Sequence, residues 1–220
     1  MLKEDGFHQR EYEHRVYQHG NSISLLLVSV YVDDLIITSV SQDRVEKFKA
    51  KMKTSFHMSN LGLLCFYLGI EVHQGDDSIT LQQGHYAKRI LELAGMAGCP
   101  VHTPMEERLK LSRESTAEDV DPTHHQRMVG SLHCLVHTWP DLAFAVRFVS
   151  WFMEKPTEEH LQVVKRILPY VIRTMDSDLC YGRQIVVWLV GYCDTDLAGD
   201  IDMRKSTSGI LFFLGDCLIS

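Results

Sequence analysis

The sequence predicts an α+β fold, because strand-like and helix-like segments occupy separate stretches of the chain. Two hairpin-like regions, each followed by a helix, precede a polar connection at residues 100–122, which is the predicted boundary between subdomains. Three helical segments follow, at residues 124–137, 141–153 and 157–175. Strand-like segments return from Asp178 onward, at residues 179–182, 185–193 and 209–220. With 220 residues, of which 45% are hydrophobic, the chain can bury a core as one domain or two small ones.

The first predicted hairpin contains two adjacent acids. The apolar runs SLLLVSVY and LIITS have the pattern of short strands, so that VDD falls at their connection. Asp33 and Asp34 could satisfy the geometry of a turn or bind metal ions, and for an isolated pair of aspartates the turn is the favoured interpretation. Their position in the chain does not decide between the two.

An amphipathic helix is predicted after this hairpin, over residues 41–56. Val45, Phe48 and Met52 recur at helical spacing, Ser41 can cap the start, and the opposite face is basic and solvated.

A second hairpin and a second helix come next. The hairpin, residues 66–83, should turn at Gly75–Asp77. The helix begins near His85 and ends at Gly95 or Gly98.

The last predicted helix, from Thr157 to Met175, has a clear start and an unfavourable interior. Pro156, Glu158 and Glu159 are typical of a helix N-terminus. Pro169 inside the helix removes a backbone hydrogen bond and costs about 3 kcal/mol unless the helix kinks.

The charge and the N-terminal residues exclude several classes of protein. A net charge of −7, from 29 acidic and 22 basic residues, has the wrong sign for gripping phosphate backbones by bulk charge, so any nucleic-acid contact should be local. The N-terminus is polar, and no run of about 18 apolar residues occurs. We expect an intracellular protein, in cytoplasm or nucleus, without signal peptide or transmembrane segment.

Cysteine and histidine give little indication of a metal site. The six cysteines are spaced singly, which indicates reduced thiols in or near a core. His133 and His137 could share a helix face and bind a metal, but HCLVH contains no Glu and no fourth ligand is evident.

The sequence YVDD, Tyr31–Asp34, between two apolar strands resembles the acidic hairpin of reverse transcriptases. The surrounding sequence resembles the Ty1/copia class of retrotransposon Pol polyproteins, and the resemblance extends from about Gly6 to Ser220. The motifs that follow YVDD in the order of that class are FHMSNLGLLCFYLGIEV, GHYAKRILELAGM, TPMEERLKL, MVGSLHCLVHTWPDLAFAV and GYCDTDLAGDIDMRKSTSG.

The resemblance implies roles for residues in both hairpins. Asp33 and Asp34 match two palm aspartates which, with a third upstream, bind two Mg²⁺ ions for nucleotidyl transfer on an RNA/DNA primer-template; Mn²⁺ is a possible substitute. Leu68, Gly69 and Ile70 match the hairpin that grips the primer end. Gly69 would there allow close backbone approach, whereas its simpler role is a bend in a strand.

The resemblance also implies a domain organisation. Residues 1–110 would be part of the C-terminal half of a palm, residues 111–176 a helical thumb and connection, and residues 177–220 the opening strands of a ribonuclease H-like fold. Asp194 would be the first metal-binding acid of the ribonuclease H site, and Asp196 is a weaker candidate.

Several departures from the family pattern predict a truncated copy that is inactive alone. The first palm aspartate should lie on an upstream strand, yet none of the 30 residues before Tyr31 has that pattern. The available acids are in polar sequence and are not expected to be held in place; they are Glu4, Asp5, Glu11 and Glu13. The further acids of ribonuclease H would follow Ser220. Both sites should therefore be incomplete.

Within the matched region, unusual residues suggest a decayed genomic copy. The positions that differ from the usual family residues are His125, Gln126, Cys134, Trp139, Trp151, Pro169, Arg173 and Leu197. Three functions remain: an inactive polymerase fragment, a polymerase completed by other Pol segments in trans, and a non-enzymatic domesticated protein that binds nucleic acid or a protein. The missing strand disfavours the second and the acidic charge the third, so the first is predicted.

Overall fold

The computed structural model describes residues 2–95, 100–183 and 188–219. Contacts divide the chain into two compact units, Met1–Leu64 and Cys65–Ser220. Both units contain α-helical residues and antiparallel strands, as expected for the mixed helix and strand content of the predicted α+β class. No helix in the described parts of the chain is both long and apolar enough to cross a membrane.

The first unit is a four-stranded antiparallel sheet with one helix. The sheet has the order β1-β2-β3-β4, and helix α1 follows β4 in sequence. The elements are β1 His8–Gln9, β2 Val16–His19, β3 Leu26–Tyr31, β4 Asp34–Ser39 and α1 Gln42–Ser55.

Helix α1 covers one face of this sheet. Val45, Phe48 and Met52 are buried, as their spacing predicted, and they form one core with Val28 and Leu26 of β3. Ser41 occupies the N-cap position, although its side chain makes no capping hydrogen bond.

Strands β1 and β2 are not apparent from the sequence. Strand β2 pairs with β3 from Val16↔Ser29 to His19↔Leu26, and β1 pairs with β2. Both are short and polar, so their extended form depends on the neighbouring strand rather than on their own residue pattern.

The described residues of the second unit form two antiparallel sheets and four α-helices. One sheet has the order β5-β6-β7-β8 and the other the order β11-β10-β9. The strands are β5 Phe66–Tyr67, β6 Ile70–Gln74, β7 Ser78–Gln82, β8 Leu179–Gly182, β9 Leu189–Thr195, β10 Ser208–Leu214 and β11 Cys217–Leu218. The helices are α2 Gly84–Ala94, α3 Pro122–Leu135, α4 Ala143–Ser150 and α5 Glu158–Arg173.

The helices enclose the larger core of the chain. Ile90 of α2 packs in the same cluster as Leu132 of α3, Val146 of α4 and Ile167 of α5. The connection at residues 100–122, predicted as a boundary, therefore lies inside the second unit, because the helices on both sides of it share one core.

Strand β8 joins the sheet of the second hairpin. It pairs with β7 from Ser78↔Gly182 to Leu81↔Leu179. The segment predicted to open a ribonuclease H-like fold, residues 177–220, is thus divided between two sheets. Ile185–Val187, predicted to begin its second strand, lie outside the described residues.

Two prolines in the helical region differ in their effect on the helices. Helix α5 runs continuously through Pro169, which is buried. The helix predicted over residues 141–153 is shorter than expected: Pro140–Leu142 form a 3-10 turn and α4 begins only at Ala143.

Helix α2 ends as predicted at Gly95, whose φ of +62° is the left-handed conformation of a helix C-terminus. Gly98 and Cys99 lie outside the described residues. The other five cysteines are free thiols, but only Cys217 is buried, so the expectation that they lie in or near a core was wrong for most of them.

Candidate functional site

The acidic hairpin reverses direction in only two residues. Strands β3 and β4 pair from Leu26↔Ser39 to Tyr31↔Asp34, which leaves Val32 and Asp33 as the loop. Val32 has φ of +53° and is 87% exposed, so a β-branched residue occupies the left-handed region without packing that would compensate the strain. The predicted turn at VDD is confirmed.

The second aspartate lies on the face of the sheet opposite to α1. Side chains alternate along a strand, and Val28 on the covered face is completely buried. Tyr31 lies three residues after Val28 and pairs with Asp34, so both belong to the open face. Asp33 and Asp34 are both exposed, so neither carboxylate is shielded from a ligand by packing.

A cation lies beside this hairpin. The guanidinium carbon of Arg15 is 5.2 Å from the centroid of the Tyr31 ring, and the Arg15 carbonyl accepts a hydrogen bond from Val30 N–H at 2.9 Å. Arg15 could not be singled out from the sequence, because nothing in the residue pattern indicates that β2 pairs with β3.

Carboxylate oxygens are the ligands that Mg²⁺ prefers, so the donor type of Asp33 and Asp34 fits a divalent cation. A two-ion site needs bridging carboxylates from more than one element. Among residues 2–95, 100–183 and 188–219, no group of three or more His, Cys, Asp or Glu side chains is placed to hold a metal ion. The pair therefore fits the ion chemically but does not form a complete site with the described residues.

One upstream acid is held in place, contrary to expectation. Asp5 forms an ion pair with Lys51 of α1 at 2.6 Å, and only 19% of its side chain is exposed. Because this acid neutralises a lysine, it does not act as a third ligand to Asp33 and Asp34 in this structure.

The second hairpin begins with a similar tight turn. Tyr67 pairs with Ile70, and the loop residues Leu68 and Gly69 have φ of +49° and +86°. Two positive values in a two-residue loop are typical of a type I′ turn. Gly69 is therefore a turn residue rather than a bend in a strand, and a Cβ there would meet only Gln83 Nε2 at 4.0 Å.

Asp194 and Asp196, the two candidate acids within GYCDTDLAGD, differ in their surroundings. Asp194 lies in β9 opposite Gly209 and is exposed. Asp196 accepts hydrogen bonds from the backbone N–H groups of Thr207 at 2.8 Å and Gly199 at 3.2 Å. Asp196 thus shapes the loop between β9 and β10, whereas Asp194 is available to a ligand.

The histidine pair of HCLVH does not share a helix face. Helix α3 ends at Leu135, so His133 belongs to its last turn and His137 lies beyond it.

The matches to known proteins agree with the acidic hairpin and its sheet. Residues 1–107 match the family described as Reverse transcriptase (RNA-dependent DNA polymerase). The chain is 37% identical over 206 residues to the "Retrovirus-related Pol polyprotein from transposon RE1" of Arabidopsis thaliana, covering 93% of this chain and 14% of that protein. No solved structure matches.

Shorter relatives are covered more completely. The "Uncharacterized mitochondrial protein AtMg00810" of Arabidopsis thaliana is 35% identical over 192 residues, covering 87% of this chain and 80% of the relative. The "Putative transposon Ty5-1 protein YCL074W" of Saccharomyces cerevisiae is 30% identical over 217 residues, covering 97% of this chain and 70% of the relative.

These matches define the class as a reverse transcriptase domain. More specifically, the chain belongs to the reverse transcriptase family of copia-type retrotransposon Pol polyproteins, as its motifs predicted. It spans 14% of the length of the RE1 polyprotein.

Proposed function

We propose that this chain is a segment of a retrotransposon RNA-directed DNA polymerase whose acidic hairpin supplies two metal-binding carboxylates for nucleotidyl transfer on an RNA/DNA primer-template. The observation that carries the proposal is the exposed pair Asp33 and Asp34 at a two-residue turn, with Asp33 in the loop and Asp34 on the open face of the sheet. In this proposal both carboxylates reach one bridging site for Mg²⁺ or Mn²⁺, and the hairpin limits how far they can move apart.

We further propose that the chain alone does not extend a primer. Two carboxylates provide too few donors to fix two ions, and the described residues place no third donor beside them. The remaining ligand would come from another Pol segment acting in trans, inside the cell, where the RNA template is found.

The other predicted roles follow from the same family membership. In this proposal, residues 1–110 are part of a palm and 111–176 are the thumb and connection. Leu68, Gly69 and Ile70 lie against the primer end, where the tight turn lets the backbone approach closely. Asp194 is a ribonuclease H acid whose exposure leaves it free to meet a ligand.

Some departures from the family pattern support sequence decay, because they occupy buried positions. His125 stands where the family usually has Tyr; it is fully buried, and neither ring nitrogen has a hydrogen-bond partner of good geometry, although the nearby Val149 backbone favours the protonated ring. An unsatisfied buried polar group destabilises a core by about 1–3 kcal/mol. Trp139, in contrast, is accommodated, because its indole N–H donates to Thr174 Oγ1 at 3.0 Å. An intact reading frame through the fingers, palm and ribonuclease H at the genomic locus would contradict this explanation.

A non-enzymatic binding role is not favoured. The net charge of −7 opposes binding to phosphate backbones by bulk charge, and any such binding should weaken steeply as the salt concentration rises.

Primer extension tests the proposal. The purified chain is compared with Asp33→Ala and Asp34→Ala on an RNA/DNA primer-template with Mg²⁺ or Mn²⁺, and circular dichroism confirms that all three are folded. We expect no extension by any of them. Extension by the unmodified chain that both substitutions abolish would show that the site is complete.

A second arm tests the contribution of the acid pair. The upstream reverse transcriptase segment of the RE1 polyprotein is added in trans, and extension should then require Asp33 and Asp34. The matched control is the double variant Asp76→Ala/Asp77→Ala, which removes an equally exposed pair of acids at the tip of the β6–β7 hairpin. Loss of extension in Asp76→Ala/Asp77→Ala as well as in Asp33→Ala and Asp34→Ala, or in none of these variants, would contradict a specific role for Asp33 and Asp34.

A further inference from the structure

His160 in the first turn of α5 is completely buried and bonded through both ring nitrogens. Its Nδ1 accepts a hydrogen bond from the Thr157 backbone N–H at 2.9 Å. Its Nε2 lies 3.0 Å from the Ser112 carbonyl oxygen, which can only accept, so Nε2 carries the proton. The ring also stacks on Phe152, with centroids 4.1 Å apart. One neutral tautomer satisfies every contact.

The residues bonded to His160 belong to a segment that lies on the start of α5. We call residues 112–120 the strap. Val120 N–H donates to the Pro156 carbonyl at 3.0 Å, and Glu158 N–H donates to the Glu118 carbonyl at 2.9 Å. The strap and the first turn of α5 are therefore joined at both ends of the strap, with His160 at the Ser112 end.

Ser112 also connects the strap to the loop between β9 and β10, residues 196–207. Its hydroxyl donates to Asp202 Oδ1 at 2.5 Å, and the neighbouring Arg113 N–H donates to Asp202 Oδ2 at 2.7 Å. Ser112 is therefore bonded on one side to His160 and on the other side to Asp202. The strap, the start of α5 and the loop between β9 and β10 meet at this residue.

A second proton on His160 is incompatible with this arrangement. An imidazolium ring donates from both nitrogens. Nε2–H would keep its bond to the Ser112 carbonyl, whereas Nδ1–H would face the Thr157 N–H, and that bond of the helix cap would be lost, with only the Thr157 hydroxyl oxygen at 3.1 Å left to accept from Nδ1. The positive charge would also be buried without direct contact to a carboxylate.

The groups around His160 shift its pKa in both directions, and burial, which lowers the pKa, has the largest effect. Burial lowers the pKa of His160, whereas the Ser112 carbonyl, Glu159 on the same helix and Asp202 on the β9–β10 loop favour the protonated ring. His125 on α3 interacts unfavourably with a charged His160, and burial lowers the pKa of His125 as well. Phe152 contributes no charge.

We propose that His160 is an acid-sensitive latch: because the closed, buried site holds only the neutral ring well, protonation favours an open state in which the ring is exposed, the strap has separated from the start of α5 and, through Ser112 and Asp202, the loop at residues 196–207 is released. The latch is a property of the second unit and does not depend on the polymerase role proposed for the acidic hairpin.

The direction of the pH dependence follows from linkage. The open state binds a proton with the ordinary histidine pKa of about 6.5, whereas the closed state binds it less well. The latch is thus closed above about pH 6.5, and below that the opening equilibrium rises by up to about tenfold per pH unit until the closed form also titrates.

Hydrogen exchange of the full chain tests the latch. Amide protection of the strap and of residues 196–207 is measured from about pH 8 to about pH 5, after correction for the intrinsic exchange rates. In the unmodified chain both segments should lose protection together on acidification. His160→Gln should keep its protection at every pH, because an amide side chain can accept from Thr157 and donate to Ser112 but does not titrate.

Two further variants separate the groups involved. His125→Leu should retain the acid-induced opening, and Asp202→Asn should weaken the link between strap and loop at every pH. Opening that persists in His160→Gln, or that disappears in His125→Leu, would overturn the proposal.

A measurement on the unmodified chain provides an independent test. The NMR resonances of the His160 ring should titrate over the same pH range in which the strap opens. Opening while the ring remains neutral would overturn the proposal whether or not the variants fold.

Discussion

Tyr31 and Asp34 form the last pair of the β3–β4 ladder, so that a single reversal over Val32 and Asp33 carries the adjacent acids. This pairing keeps Asp33 and Asp34 at the tip of one hairpin, where the proposed site needs both carboxylates to reach one ligand. Asp33 belongs to the loop and Asp34 to the open face of the strand, and the ladder holds both in a fixed relation.

Replacement of Val32 by glycine should stabilise the first unit. Valine at φ of +53° costs about 1–2 kcal/mol, and glycine removes this strain while costing about 0.4–1 kcal/mol through the entropy of the unfolded chain. We expect a net gain of about 0.5–1 kcal/mol, measured by hydrogen exchange of the β3 and β4 amides. The matched change Val40→Gly, at an exposed valine without positive φ, should destabilise the first unit. A decrease in the stability of the first unit in Val32→Gly would contradict backbone strain at this position.

Replacement of His125 by leucine should stabilise the second unit by about 1–3 kcal/mol, because it removes two buried nitrogens without partners. Burial lowers the pKa of His125, so the unfolded chain binds more protons below about pH 6.5 and the native state loses stability there. The gain should therefore grow on acidification, as measured by urea unfolding followed through tryptophan fluorescence. His124→Leu, at an exposed neighbour, should change little; equal effects would argue against the unsatisfied nitrogens.

The Tyr170 hydroxyl should lose its proton, and with it the stabilising hydrogen bond to Asp141, only at high pH. Burial, followed by the hydrogen bond to Asp141, raises the pKa of Tyr170 to about 12. Because the unfolded pKa is about 10, the stabilisation is complete below pH 10 and is lost as the pH rises from about 10 towards about 12. Tyr170→Phe should cost about 1.5 kcal/mol at neutral pH and remove the late step from the ultraviolet titration. Tyr12→Phe, at an exposed tyrosine, should leave that step unchanged.

Replacement of Pro169 by alanine should stabilise α5. The helix continues through Pro169, which cannot donate to the carbonyl four residues earlier and clashes with it, at a cost of about 3 kcal/mol. Part of this gain is lost because the ring is buried, so we expect an increase of about 1–2 kcal/mol in the free energy of unfolding. Pro122→Ala at the first position of α3, where proline is favourable, should not stabilise. A loss in Pro169→Ala would show that the ring is needed for packing.

The parts of the fold with strong local patterns could be predicted from the sequence. The two hairpins, the buried face of α1 and the end of α2 at Gly95 all depend on spacing or turn residues. Strands β1 and β2 could not, because HQ and VYQH become extended only by pairing with β3. The partner of β8 was not predictable for the same reason: β7 lies about 100 residues earlier.

The site was predictable where the motif is local and not where a contact joins distant residues. Asp33 and Asp34 were singled out by YVDD together with the ordered motifs that follow it in the chain. The ion pair of Asp5 with Lys51, 46 residues apart, and the stacking of Arg15 on Tyr31 follow from how the sheet and α1 pack, which no local pattern contains.

Binding of Mn²⁺ to the purified chain, followed by electron paramagnetic resonance, tests the central claim most directly. The claim is that Asp33 and Asp34 are two ligands of an incomplete site. It predicts weak binding that Asp33→Asn/Asp34→Asn abolishes and that Asp76→Asn/Asp77→Asn, at the other exposed pair of hairpin acids, leaves unchanged. Binding that is equally reduced in both double variants, or unaffected by the first, would contradict the claim.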